Sequence, residues 1–124
     1  MTPDSKFNDL NATISLFKSE VKKFVENRNW TKYHTPKDLA LAISIEAAEL
    51  SEHFLFKDRS VEEIVKDKEL LSNISDEVAD VFIYMMSFVN SLNIDLTQSF
   101  IKKMEKNNKK YPIEEFNKGN YYKK

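Results

Sequence analysis

Apolar residues recur at three- and four-residue steps along most of the chain, the spacing that lines one face of an α-helix. Phe7, Leu10, Ile14, Phe17, Val21 and Val25 form the first stripe. It predicts a helix that opens with Asp4 or Ser5 as N-cap and ends near Asn27-Arg28-Asn29. Trp30-Thr31-Lys32-Tyr33-His34 then makes a connection of rings and polar tips. Thr35 caps a second helix with Pro36 at its first position, where a missing N–H costs nothing. That helix carries Glu46 and Glu49 and is expected to fade around Phe56-Lys57-Asp58-Arg59.

Ser60, followed by Val61-Glu62-Glu63, has capping-box spacing and opens a short helical piece, with a break expected between Lys66 and Glu69. From Leu70 to Leu92 the third helix is the most apolar, through Val78, Val81, Phe82, Ile83, Met85, Met86, Phe88 and Val89. So apolar a circumference predicts a central helix or one also buried by another subunit. Asp95 caps a fourth helix through Phe100, Ile101 and Met104, which ends in a basic run and stops at Tyr111-Pro112. Residues 1–112 thus read as a single all-α, four-helix bundle-like domain, and 113–124 as a polar and aromatic tail.

Composition supports the helical reading. One glycine and three prolines are too few for the turns that strands need. A length of 124 residues fits one modest core. The net charge of −1 gives no pull toward nucleic acid polymers or anionic membranes. The absence of cysteine removes disulfides, thiolate metal sites and thiol chemistry. With no apolar signal region and no membrane-length apolar run, the cytoplasm is the expected location.

Two interruptions of the apolar pattern carry the chemistry. Glu46 and Glu49 lie three residues apart in the second helix, and Glu77 and Asp80 repeat that spacing in the third. Positions i and i+3 share a helix face, so each pair points one way. None of the four falls in the middle of a polar face, and burying unpaired carboxylates costs several kcal/mol or raises their pKa. No Lys or Arg falls on those faces to compensate, and an all-oxygen donor set favours Mg²⁺ or Mn²⁺ over zinc. The plainer alternative is that the acids line the solvent edge of amphipathic helices. His53 follows Glu49 by four residues, not the Glu-x-x-His spacing of di-iron bundles, and reads as a solvent-edge residue.

With its surroundings, the ordered set Glu46-x-x-Glu49 and Glu77-x-x-Asp80 resembles the MazG-like all-α nucleoside triphosphate pyrophosphohydrolases, in their dCTP pyrophosphatase branch. The likeness runs through Trp30, His34-Thr35-Pro36, Ser75 to Tyr84, Asp95-Leu96, Lys103-Met104, Asn107 and Lys110-Tyr111-Pro112. It implies Mg²⁺-dependent hydrolysis of a nucleoside triphosphate to the monophosphate and pyrophosphate, with Glu46, Glu49, Glu77 and Asp80 as metal ligands. Glu49 would also orient or deprotonate the attacking water. The resemblance further implies that Lys103, Asn107, Lys110 and Tyr111 contact the triphosphate, and that Trp30, His34 and Tyr84 line the base pocket.

Phe56 stands where a pocket tryptophan is expected, keeping a stacking face and losing an indole donor. Lys110 stands where the pattern has arginine, so a point charge replaces a forked donor. Both departures bear on the preferred base, expected to be dCTP or a modified pyrimidine deoxynucleotide. The family likeness and the apolar third helix both point to a homo-oligomer, a tetramer or failing that a dimer. The alternatives are a non-catalytic helical nucleotide-binding or dimerisation module and a di-metal carboxylate redox bundle.

Overall fold

Six α-helices and no strand make up the described residues of the computed structural model, 6–124. Helix α1 spans Ile14–Asn27, α2 Pro36–Glu52, α3 Val61–Lys66, α4 Lys68–Ser91, α5 Leu96–Lys110 and α6 Ile113–Phe116, with a 3-10 turn at Thr31–Tyr33. The chain divides into two compact units, Met1–Asn93 and Ile94–Lys124.

In the first unit α4 is central: α1, α2 and α3 all pack on it, α2 most extensively. Its core consists of Val25, Leu39, Met86 and Val89, with Leu39 and Met86 almost completely enclosed. Phe17 of α1 meets Phe82 of α4 edge-to-face at 5.2 Å between ring centroids. Met86 and Val89, which the apolar pattern offered to a second subunit, are therefore enclosed by the chain itself and give no argument for an interface. The exposed apolar side chains lie elsewhere, including Leu41 and Ile45 on α2 and Val78 on α4.

Helix ends follow the local chemistry. The side chains of Thr35, Ser60 and Asp95 accept the N–H groups of Asp38, Glu63 and Gln98 at 3.3, 3.1 and 2.9 Å, as their cap positions require. Asp67 ends α3 and caps α4 at once, accepting from Leu70 N at 3.0 Å, and so fixes the expected break at one residue. Asn29, at φ +56°, ends α1 in the left-handed region that asparagine tolerates.

The first helix starts later than its apolar stripe. Its cap is Thr13, which accepts from Leu16 N at 3.1 Å. Upstream, Asn8 Oδ1 takes Leu10 N at 2.9 Å and Asn11 Oδ1 takes Asn8 N at 2.8 Å. These side chains capture the backbone donors that a helix would use, so Leu10 sits in a turn and Phe7 outside any regular element. Asp4 and Ser5, the expected caps, lie outside the described residues. Helix α2 also stops earlier than expected, and Phe56 beyond it has φ +59°.

In the second unit the segment after Pro112 folds back. Phe116 packs against Tyr111 at 5.4 Å and Tyr122 at 5.0 Å, Lys124 N donates to the Tyr111 hydroxyl at 2.9 Å, and Tyr122 donates to Glu115.

Candidate metal centre

The packing of α2 on α4 brings the two acidic pairs together. Carboxylate oxygens of Glu46, Glu77 and Asp80 all lie within 4.8 Å of one another. Glu49 completes the set, close enough to Glu46 and Glu77 to raise the pKa of both.

The electrostatics match this crowding. Burial, then hydrogen bonding to Glu49 and repulsion from Glu49, Asp80 and Glu77 push Glu46 from 4.5 up to about 7. Burial and the same neighbours raise Glu77, opposed only by His53. One oxygen of Glu46 and one of Glu77, both Oε2, are enclosed and have no hydrogen-bond partner. Among the described residues no lysine or arginine pairs with any of the four acids. No cationic lysine or arginine thus offsets the cluster, and hard divalent ions fit its oxygen donors.

His53 is the residue that sequence reasoning misplaced. Its Nε2 lies 3.8 Å from Glu77 Oε1, and both side chains are mostly enclosed. Arg59 Nε donates to the His53 carbonyl at 3.3 Å, holding the turn beyond α2. The available signal was face rather than motif, because His53 follows Glu49 by one helical turn and Glu46 by two.

The other expected site residues divide among several places. His34 and Tyr84 come together, their rings 6.4 Å apart. His34 also lines a cavity of about 230 Å³ between α1, the 3-10 turn and the C-terminal end of α4, and its Nδ1 is enclosed without a partner. Trp30 sits instead with Phe24, edge-to-face at 5.8 Å, while the Arg28 guanidinium lies 3.7 Å from the Phe24 ring centre. Phe56 is 97% exposed. Lys103, Asn107, Lys110 and Tyr111 belong to the second unit, where Lys103, Asn107 and Lys110 share one face of α5.

The architecture defines a class: an all-α protein whose central helix and its neighbour gather carboxylates in two i,i+3 pairs. The model of the MazG-like family matches residues 41–124, which hold all four acids, and the chain belongs to that family. It is 32% identical over 93 residues to dCTP pyrophosphatase 1 of Mus musculus and 30% identical over 91 residues to that of Homo sapiens. Each match covers 73% of this chain and 54% of the relative, so the chain spans about half the length of those relatives. The crystal structure of a pyrophosphatase from Archaeoglobus fulgidus superimposes with a TM-score of 0.73 at 36% identity, covering 86% of this chain and 99% of the other.

Proposed function

We propose that the protein is a divalent-metal-dependent nucleoside triphosphate pyrophosphohydrolase that converts dCTP or a modified pyrimidine deoxynucleotide to the monophosphate and pyrophosphate. The observation that carries this reading is the pair of enclosed, unpartnered oxygens of Glu46 and Glu77 inside a cluster of four acids. The names of the relatives and of the structural neighbour support the same reaction class.

Glu46, Glu77 and Asp80 hold the cation, Mg²⁺ or Mn²⁺ by donor chemistry. Bound there, the ion would neutralise phosphate charge and lower the pKa of an attacking water. Glu49, joined to Glu46 and Glu77, orients that water and takes its proton. The ring pair of His34 and Tyr84 faces the base, with Trp30 and Phe56 as further base contacts. Lys103, Asn107, Lys110 and Tyr111 are assigned to the triphosphate by family likeness alone. Assembly as a homotetramer, or failing that a dimer, belongs to the same proposal, and light scattering over a dilution series beside specific activity tests it.

The deciding experiment is a panel of unmodified and 5-modified nucleoside triphosphates with Mg²⁺ or Mn²⁺, followed by product identification. Monophosphate and pyrophosphate in equal amounts are expected, with a pyrimidine deoxynucleotide preferred. Release of orthophosphate would overturn the reaction type, and binding without turnover would leave a nucleotide-binding module.

A further inference from the structure

His53 lies outside both i,i+3 pairs, yet the end of α2 brings it to the acids. It is the C-cap residue of that helix, and its N–H donates to the Leu50 carbonyl at 3.3 Å. Beyond it Phe56, at φ +59°, turns the chain, and Arg59 reaches back six residues to donate from Nε to the His53 carbonyl at 3.3 Å. The backbone of His53 is thus held at both its N–H and its carbonyl. From there its ring sets Nε2 3.8 Å from Glu77 Oε1, where both side chains are mostly enclosed.

The two oxygens of Glu77 have separate surroundings. Oε1 faces His53, while Oε2 is enclosed without a hydrogen-bond partner and is open to a cation. The last torsion of a glutamate is broad, so an unheld carboxylate swings both oxygens through a wide range. A donor on one oxygen narrows that range and fixes where the other points. His53 can supply the donor in either ring state, since Nε2 carries a proton in the imidazolium and in one neutral tautomer. The gap of 3.8 Å exceeds the roughly 2.7–3.2 Å of an N–H···O bond, and a modest turn of the carboxylate closes it.

The opposite end of α4 shows the same kind of polar contact with a neighbouring helix. There Asn90 Nδ2 donates to the Lys18 carbonyl of α1 at 2.9 Å. At the acid end the contact, made to the end of α2, includes a candidate metal ligand.

We propose that His53 is a positioning residue for the metal centre: it holds Oε1 of Glu77 and thereby aims Oε2 at a divalent cation. The proposal rests on the metal-dependent reading of the acidic cluster, and adds to it a residue outside the four acids. Outer partners of a ligating carboxylate change metal affinity by about 10–100-fold.

The test is calorimetric titration of the intact, metal-free protein with Mn²⁺, in the absence of nucleotide, for the wild type, His53→Leu and His53→Gln. His53→Leu keeps apolar bulk and removes the donor, whereas His53→Gln returns an N–H donor at the end of the side chain. His53→Leu is expected to weaken Mn²⁺ at least about tenfold, and His53→Gln to stay within about threefold of the wild type. Neither should lower the melting temperature of the metal-free protein. Unchanged affinity in His53→Leu would overturn the proposal, as would a His53→Gln variant as weak as His53→Leu. A loss of affinity accompanied by a lower metal-free melting temperature would assign His53 to packing instead. Wild-type protein that takes up no Mn²⁺ would remove the metal reading and this proposal with it. Mn²⁺ binding that depends on His53, with no triphosphate hydrolysed, would sink the reaction and leave the positioning role.

Discussion

The two halves of α4 hold opposite kinds of interior. Toward its N-terminus Glu77 and Asp80 face Glu46 and Glu49, and packing there works against the charged state of the acids. Toward its C-terminus Met86 and Val89 are enclosed with Leu39 and Val25, and packing there supplies the stability. One helix thus carries both the cost of the site and the burial that offsets it. A residue's contribution to folding and its contribution to chemistry should have opposite signs at the two ends.

The sharpest break in that comparison is at the acids. Glu49→Gln or Asp80→Asn is expected to lower kcat/KM at least about 100-fold while circular dichroism stays helical, measured with the best triphosphate of the panel. Met86→Ala should do the reverse in kind, costing about 2–5 kcal/mol through lost burial and a cavity, read as a lower denaturation midpoint. Should the acidic variants be destabilised as much as Met86→Ala, the two ends would not differ.

Titration sharpens the contrast. Glu46 has its pKa raised in the folded chain, from 4.5 to about 7, so its protonated form is the one that folding favours. Its contribution is present below about pH 4.5 and is lost as pH rises through about 7. The metal-free protein should therefore melt a few degrees higher near pH 5 than near pH 8, and Glu46→Gln should flatten that slope. Saturating Mg²⁺ or Mn²⁺ should raise the melting temperature at pH 8 more than at pH 5, because the ion competes with the proton. The smallest effect belongs to neither end: Thr35→Ala removes the cap of α2 and should cost about 1 kcal/mol in chemical denaturation.

Much of this was legible in the chain. Thr35, Ser60 and Asp95 announce their caps because a side-chain oxygen three residues before an N–H is a local fact. The four acids are legible because their spacing matches a helix face, and their convergence needs only the packing of two helices. What was not legible depends on side chains that compete with the backbone or on distant partners. Asn8 and Asn11 hold back the start of α1 through their own hydrogen bonds, which an apolar stripe does not reveal. His53 was judged by a ligand motif, whereas its place beside Glu77 follows from the face it shares with Glu49. Ser87 and Asn90 sit within an apolar run, and only the approach of α1 turns them into the wall of a cavity.

The bond from Asn90 to the Lys18 carbonyl joins residues 72 apart in the chain. During synthesis, α1 and α2 leave the ribosome before Asn90 does, so the cavity wall, which needs α1 and the last turns of α4 together, cannot assemble on a chain that ends before Asn90. The four acids lie on α2 and on α4 up to Asp80, so their gathering does not wait for that bond. A chain ending at residue 85 should therefore carry all four acids and lack the cavity wall, which extension by two turns should restore.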